Sequence, residues 1–187
     1  MDALQRCAEK YERLTNFEYK IIIARKGKAH ELYIRFNIVQ FHHLAGIHKL
    51  NDLRIARQNR KKVFDKIRSG EITDSSLQES RYYTVIKQRL ELLNNLEEIL
   101  DSNELVFRYH KKSGDLSMID ADYLLSTFFK NKECYVFLTR EEKCCFCRSF
   151  FPKTNRDYTK GQVRYTMLYK EKRNLVTGEV TIQYNRL

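Results

Sequence analysis

Three of the five histidines in this 187-residue chain lie within the segment FHHLAGIHKL, from Phe41 to Leu50. Histidine is the side chain that accepts or donates a proton near neutral pH. Because residues three or four apart share a face of an α-helix, a helix here would place His43 and His48 near its apolar side. This pattern indicates a catalytic acid or base. A core histidine that is hydrogen-bonded to a backbone carbonyl has the same spacing, and that alternative stays open.

A predicted helix and a predicted hairpin precede the histidines. Residues 2–14 have the apolar spacing of a short helix, with Asp2 at the N-cap position. Residues 17–24 and 31–38 are typical of two strands joined by a turn. The hairpin leads into a helix predicted over 39–50, and it acts as a scaffold for the histidines.

A basic segment follows, from Arg54 to Arg68. It contains seven Lys or Arg residues and one acid. Such a run is either a solvated helix face or a surface for a polyanion, and both alternatives stay open. Residues 74–102 then have the spacing of an acidic helical region with one apolar face. The candidate phosphate contacts from these segments are Arg54, Lys87 and Arg89.

After residue 102 the apolar period changes from helical to strand-like. Segments rich in aromatic and β-branched residues alternate with polar turns such as 112–115, which favours an antiparallel meander. We therefore predict one domain over 1–187 with an α+β fold, in which the helices pack on one side of an antiparallel β-sheet. Its parts are an N-terminal helix (1–16), a hairpin and helical part (17–102) and a sheet part (103–187). The strands of the sheet part are predicted over 105–109, 117–125, 134–139, 144–151, 164–170 and 180–184.

Polar side chains follow the strand predicted over 144–151. Ser149 lies near the end of this strand, and Pro152 stops the pairing. The loop beyond it contains Tyr158 and Lys160. A hydroxyl followed by a basic loop with an aromatic hydroxyl is suited to hold a phosphate and to position a proton. A serine at a strand end is also commonplace in proteins without such a site.

The composition limits the class of protein. A formal net charge of +11 favours a polyanionic partner such as RNA, DNA or an anionic membrane surface. The first residues contain no apolar run typical of a signal peptide, and no segment approaches a membrane span, so we expect a cytoplasmic protein. Five cysteines, an odd number, fit reduced thiols. Within their strand Cys145 and Cys147 share one face and Cys144 points to the other, which favours buried thiols over a zinc site.

Several spaced blocks occur in a fixed order along the chain, namely FHHLAGIHKL, the segment from IRSGEI to LEEILDS, SMIDADYLL, YVFL and RSFFPKTNRDYTKGQ. Together they resemble the phage-associated nuclease domains of the Barnase, EndoU, colicin and RelE-like (BECR) superfamily, in particular their fourth phage-associated group. The resemblance covers about residues 17–172. It implies helices followed by an antiparallel sheet, and a metal-independent endoribonuclease of a phage or mobile element that acts as a toxin or effector. The basic, cysteine-rich edge at 144–148 departs from the family's pattern.

The resemblance also implies roles for single residues. His43 and His48 are expected as acid and base for attack of a 2′-hydroxyl on the adjacent phosphorus, with Ser149 and Tyr158 in the catalytic set. No metal or cofactor is expected. The expected partners are RNA and a cognate inhibitor or antitoxin protein, with no membrane partner. The residues expected to contact the phosphate are Lys49, Lys160 and Gln162, beside the three candidates named above.

Two other classes of function fit the same charge. One is a phage protein that binds nucleic acid or a host factor without any chemistry, and the other is an inactive relative kept for partner binding. The many tyrosines could stack on bases, but tyrosines more often pack within sheets. The observation that distinguishes the classes is whether His43 or His48 lies in a cleft with Ser149 and Tyr158, because histidines buried apart from them would favour the binding classes.

Overall fold

The computed structural model describes residues 2–102, 105–111 and 119–187. These residues form two compact units. The helical unit consists of Met1–Thr15 and Asn37–Glu97, and the barrel unit consists of Asn16–Phe36 and Glu98–Leu187. The predicted turn at 112–115 and the first residues of the strand predicted over 117–125 lie outside the described residues.

The first helix begins where the sequence predicts. Asp2 Oδ1 accepts hydrogen bonds from the backbone N–H groups of Leu4 at 2.8 Å and Gln5 at 3.3 Å, which confirms the predicted N-cap. Short 3₁₀-helices cover Ile47–Lys49 and Arg54–Arg57. The α-helices of the described residues are α1 (Ala3–Leu14), α2 (Ile38–Leu44), α3 (Arg60–Arg68), α4 (Asp74–Gln78), α5 (Tyr83–Leu93) and α6 (Leu96–Asp101).

The predicted hairpin is confirmed, with Arg25 opposite Lys28 at its turn. The later strands overlap most of the predicted segments, although β4 begins at Tyr123 rather than at residue 117. The strands are β1 (Phe17–Arg25), β2 (Lys28–Arg35), β3 (Leu105–Arg108), β4 (Tyr123–Phe129), β5 (Lys132–Glu141), β6 (Cys144–Pro152), β7 (Val163–Asn174) and β8 (Val180–Asn185).

The strands close into a barrel. They pair in the order β1-β2-β6-β5-β4-β3-β7, and β7 pairs back with β1, which completes a ring of seven strands. Strand β8 pairs with β7 outside this ring. The ring is antiparallel except where β2 meets β6, with Ile34 opposite Cys145 in a parallel register. The predicted fold class, helices packed on one side of an open antiparallel sheet, is therefore wrong.

The length of β7 explains the closure. Its first residues, from Val163 to Tyr165, pair with β3, and the residues from Thr166 to Asn174 pair with β1. One strand thus bonds the last part of the sheet to its first part. Closure removes the exposed backbone edge that an open sheet would present at β1. Apolar spacing within one strand carries no information about such a pairing, so the closure of the barrel could not be predicted from it.

One face of the strands is apolar around the whole ring. Ile21, Ile34, Leu138 and Val106, from four different strands, are each at most 1% exposed. The face returns to β1 where Met167 of β7 lies opposite Ile23. In a closed barrel this continuous face is the interior, and its burial is the main favourable contribution to folding.

The interior also contains a lysine that binds the end of α6. Lys170 lies opposite Ile21 and is 2% exposed. Its ammonium donates hydrogen bonds to the carbonyls of Leu100 and Asp101. Carbonyls at a helix C-terminus carry partial negative charge and favour a cation. This contact anchors α6 to β7.

Both predicted helical stretches are interrupted. Helix α2 ends at Leu44, although the helix was predicted to continue to residue 50. The stretch from residue 74 is broken after Gln78, where Ser80 Oγ donates to Asp52 at 2.5 Å and accepts from the N–H of Tyr82 at 3.1 Å. Side-chain hydrogen bonds of this kind compete with helical ones. The interruption after Leu44 decides where the histidines lie.

Gly46 makes that interruption possible. Its φ of 80° lies in the left-handed region, which a residue with a Cβ adopts only with strain. A Cβ added at Gly46 would also lie 2.8 Å from Ile86 Cγ2 and 3.2 Å from Arg89 Cδ. The turn therefore requires glycine both for its backbone and for the close approach of α5.

We predict that Gly46→Ala destabilises the protein by about 2 to 4 kcal/mol, since left-handed strain and overpacking add. The matched control is Gly27→Ala, because Gly27 has a φ of 74° but no atom within 4 Å of an added Cβ. It should cost only the strain, about 1 to 2 kcal/mol. Urea denaturation of both variants measures the difference. Equal losses of stability would contradict the close packing at Gly46.

Candidate functional site

The turn at Gly46 stacks His43 on His48. The ring centroids lie 4.3 Å apart with an interplanar angle of 12°. In a continuous helix these two residues would point about 140° apart around the axis. Because α2 ends at Leu44 and Gly46 turns the chain, the 3₁₀-helix Ile47–Lys49 returns His48 against His43. The structure thus brings together the two histidines that the sequence predicts as acid and base.

His48 is held in its neutral form. Burial, together with the nearby charges of His43, Lys49 and Arg89, lowers its pKa to about 4. Its Nδ1 atom is buried and has no hydrogen-bond partner among the described residues. Protonation would therefore place a charge in a partly desolvated, positively charged environment. Since Nδ1 is buried, Nε2 is the atom of this ring that can reach a substrate.

Two cations flank the histidines, and we name His43, His48, Lys49 and Arg89 the histidine cluster. Lys49 is half-buried, and burial together with the charge of Arg89 lowers its pKa. Arg89 is half-buried on α5, where its Cδ atom lies next to Gly46. A group of like charges that depress one another's protonation is stabilised by an anion. All four residues belong to the helical unit.

His42 is the third histidine of the segment and was not among the predicted site residues. It is 2% exposed, and its Nε2 atom lies 3.2 Å from the carbonyl oxygen of Ile55 and donates to it. Burial lowers its pKa. A core histidine bonded to a backbone carbonyl, the alternative left open above for His43 and His48, is thus present at the neighbouring residue His42. Only the true phase of α2, set by Phe41 and Leu44 in the core, distinguishes it.

The basic segment divides into a paired part and an unpaired part. Towards its C-terminus Lys66 pairs with Glu71 at 2.5 Å, and Arg68 pairs with Glu9 and Glu12 at 2.6 and 2.8 Å. Those charges are largely offset. The basic residues that form no ion pair within the described ranges are Arg54, Arg57, Arg60 and Lys62.

Arg54 and Arg57 line a cleft of about 400 Å³ beside Asn51 and Gln58. Asp52, which also lines it, accepts hydrogen bonds from Ser80 Oγ at 2.5 Å and from the N–H of Arg81 at 3.0 Å. The cleft is therefore open and cationic, and it belongs to the helical unit. Lys87 is exposed on α5, about 200° around the helix axis from Arg89, so it does not join the histidine cluster.

The barrel unit holds the other predicted residues. Tyr158 is half-buried, and its ring packs edge-on against those of Tyr135 and Phe137 at 5.7 and 5.3 Å. The guanidinium of Arg156 lies 4.5 Å from the centroid of the Tyr158 ring. A cation over an aromatic face that is itself partly exposed is an arrangement that can stack on a base.

Asp157 shapes the loop that carries Tyr158. Its Oδ1 accepts hydrogen bonds from the N–H of Thr159 at 2.9 Å and from Thr159 Oγ1 at 2.6 Å, and these bonds lower its pKa to about 2. Its Oδ2 lies 3.4 Å from Lys153 Nζ. The next basic residue, Lys160, is exposed. The loop thus has a fixed turn and an accessible cation.

Gln162 and Ser149 have structural partners. The side-chain amide of Gln162 forms two hydrogen bonds with the backbone of His110. Its Oε1 accepts from the N–H at 2.8 Å, and its Nε2 donates to the carbonyl at 2.9 Å. Ser149 lies inside β6 opposite Phe137, not at the strand end, and is 9% exposed. Neither side chain is presented to solvent as fully as Lys160.

The cysteines lie as predicted along β6. Cys145 and Cys147 are buried thiols on the interior face of the barrel, and Cys144 is half-buried on the other face. Burial raises the pKa of Cys145 to about 11, so its thiol stays protonated at neutral pH.

No helix of the described ranges has both the length and the apolar character needed to cross a membrane. No curated protein and no solved structure is significantly similar to the chain. The family described as phage-Barnase-EndoU-ColicinE5/D-RelE like nuclease4 matches residues 3–187. This match covers nearly the whole sequence, including the histidine cluster, the cationic cleft and the loop of Tyr158. The chain belongs to this family of phage-associated, nuclease-like domains.

Proposed function

We propose that the chain is a metal-independent endoribonuclease whose proton transfers are carried out by the histidine cluster. The observation that supports this most directly is the stack of His43 on His48 at 4.3 Å, with Lys49 and Arg89 beside it. A pair of adjacent imidazoles can hold one neutral ring and one protonated ring, which is what paired base and acid catalysis needs. The flanking cations supply the positive charge that a metal ion provides in other nucleases.

His48 is the proposed base, because its environment favours the neutral form. It would take the proton of a ribose 2′-hydroxyl, whose oxygen then attacks the adjacent phosphorus. His43, in its protonated form, would donate a proton to the leaving 5′-oxygen. Lys49 and Arg89 would bind the phosphorane oxygens, where negative charge develops in the transition state. A nucleotide without the 2′-oxygen has no nucleophile for this reaction.

The proposed RNA-binding surface is the cleft of Arg54 and Arg57. Both arginines are exposed and form no ion pair within the described part of the chain. Contacts of this type neutralise phosphates and release counterions, so they provide affinity without sequence preference. Lys87 remains a weaker proposal for the same role, because it lies on another face of α5 from Arg89.

Ser149, Tyr158, Lys160 and Gln162 belong to the barrel unit, and we propose separate roles for them. Tyr158 is suited to stack on a base, and Lys160 is suited to contact a phosphate. The Gln162 amide is suited to hold its loop against His110. For Ser149 the catalytic role stays a prediction, which Ser149→Ala tests in the assay below.

The proposed biological role starts from the family. Its description associates these domains with phages. We propose that the chain acts on RNA in the cytoplasm as a toxin or effector, and that a cognate inhibitor protein restrains it. Copurification of an inhibitor that blocks RNA cleavage is the direct test of that partner.

A binding protein without chemistry is the second candidate. The observation in its favour is that Ser149 is buried and that the Gln162 amide is engaged with the backbone of His110. Under this alternative the arginine cleft binds RNA and the histidine cluster has no catalytic role. The cleavage assay below distinguishes the candidates.

We expect the purified protein to cleave RNA in EDTA, to leave 2′,3′-cyclic phosphate ends and to spare DNA. His43→Ala and His48→Ala should each lower the cleavage rate by about 10² to 10⁴-fold, while RNA affinity changes little. The matched control is His30→Ala, which removes an exposed histidine of β2 in the barrel unit and should keep the wild-type rate. Cleavage of DNA at the same rate, loss of activity in EDTA, or full activity without both His43 and His48 would refute the proposal.

We expect RNA affinity to fall steeply with salt. Arg57→Gln should reduce the slope of log K against log salt concentration by about 1, because one phosphate contact is lost. Lys66→Gln removes the same charge from a side chain that Glu71 already pairs, so its slope should stay close to the wild-type value. Fluorescence anisotropy with a labelled RNA at several salt concentrations measures both. Affinity that does not depend on salt would point to a protein or a small molecule as the partner.

A further inference from the structure

The barrel unit contains a second cationic cleft, at the end of α6. It has a volume of about 390 Å³, and its wall includes Leu105, Arg164, Met167, Tyr184 and Arg186. This volume is within the range of small-molecule sites. The described residues that line it all belong to the barrel unit, and none of them is a residue of the histidine cluster.

Among the described residues that line this cleft, the charge is positive and not offset. Arg164 and Arg186 are exposed, and neither forms an ion pair with a carboxylate of the described residues. The one acid among the described residues of the wall, Asp101, is already engaged. Its carboxylate accepts hydrogen bonds from Tyr19 at 2.6 Å, Gln183 at 2.8 Å and Lys172 at 3.0 Å. Both guanidinium groups are therefore available to an anion.

A buried cation adds to this field. Lys170 also lines the cleft, and its ammonium is fixed by hydrogen bonds to the carbonyls of Leu100 and Asp101. Because these hydrogen bonds hold the ammonium of Lys170 inside the barrel, it does not contact a ligand in the cleft directly. It contributes positive potential from inside the barrel, whereas the two arginines can move to form the contacts.

The remaining wall is apolar and aromatic. Met167 is 7% exposed and Leu105 is half-buried. The ring of Tyr184 is half-buried, and the guanidinium of Arg186 lies 5.6 Å from its centroid. The backbone N–H of Arg186 donates to the carbonyl of Leu168 at 2.7 Å, which fixes this residue beside β7. An apolar surface and two guanidinium groups thus adjoin within one small cleft.

We propose that this cleft binds a phosphorylated nucleoside. Guanidinium groups form paired hydrogen bonds with phosphate oxygens, and a base can stack on a tyrosine or lie against methionine and leucine side chains. The ligand is either a free mononucleotide or one nucleotide of an RNA strand, since both present the same phosphate and base. The proposal does not depend on RNA cleavage by the histidine cluster, because the site and its test involve binding alone.

Met167 provides a direct probe of the site. The chain contains three methionines, so ¹³C-methyl labelling gives a simple spectrum in which Met167→Leu assigns the signal. We expect uridine 5′-monophosphate to shift the Met167 methyl signal in a saturable way. Uridine, which lacks the phosphate, should bind at least about tenfold more weakly.

The variants Arg164→Gln and Arg186→Gln should each weaken the binding of uridine 5′-monophosphate by about tenfold. Arg25→Gln is the matched control, because Arg25 is an exposed arginine of the same unit outside the cleft. The affinity of this variant for uridine 5′-monophosphate should be unchanged. A wild-type Met167 signal in the unbound variants shows that they are folded.

An RNA oligonucleotide distinguishes the two sources of the ligand. If it shifts the Met167 signal and displaces the mononucleotide, the cleft binds a nucleotide of an RNA strand. If the mononucleotide remains bound in excess oligonucleotide, the cleft is a site for free nucleotides. Three results would overturn the proposal. They are no shift of the Met167 signal by uridine 5′-monophosphate, wild-type affinity in both Arg164→Gln and Arg186→Gln, or a loss of affinity in Arg25→Gln as large as in those two variants.

Discussion

The left-handed turn at Gly46 is the constraint on which the candidate site depends. It ends α2, admits α5 within contact of the backbone, and returns the chain so that His48 stacks on His43. The same close approach places Arg89 beside the turn. A single backbone conformation therefore sets the distance between the two imidazoles and the position of a flanking cation. Without it, a regular helix would separate the two rings on different faces.

The electrostatics of the histidine cluster follow from that geometry. Like charges brought together and partly removed from water disfavour their own protonated forms, which lowers the pKa of His48 and of Lys49. The charge of an approaching phosphate offsets those of Lys49 and Arg89 and so opposes the like-charge part of both shifts. The free cluster is therefore prepared for an anion, and binding of a phosphodiester should raise the pKa of His48 towards the range in which a base is effective at neutral pH.

The sequence predicts the local features of this fold and misses those that depend on distant contacts. The Asp2 cap, the hairpin of β1 and β2 and the buried thiols of β6 follow from spacing within a few residues, and the structure confirms them. The closure of the barrel could not be predicted in that way, because it pairs Phe17 with Asn174. Nor could the break at Gly46, since helix patterns tolerate a glycine and only the contact with Ile86 shows that a side chain is excluded.

For the candidate site, too, the sequence predicts local features and misses those that depend on distant contacts. Histidine spacing led to the prediction of His43 and His48, whose rings the structure stacks on each other. It did not distinguish His42 as the residue bonded to the carbonyl of Ile55, because that depends on the phase of α2. Charge counting identified the basic segment, but it could not separate Arg57 from Lys66, whose charge is paired with Glu71. The family match supports a nuclease-type domain, and the stack of His43 on His48 is the basis of the proposal that a histidine pair acts in it.

The most direct test of this account is an NMR titration of the His48 imidazole, in the free protein and with a 2′-O-methyl RNA oligonucleotide that binds but lacks the nucleophile. In the free protein the ring should stay neutral as the pH falls and become protonated only near a pKa of about 4. With the oligonucleotide bound, the pKa should rise, because the phosphate stabilises the protonated form. A free-protein pKa at the ordinary value near 6.5, unchanged by the oligonucleotide, would contradict the central claim that the histidine cluster is a phosphate-binding acid and base site.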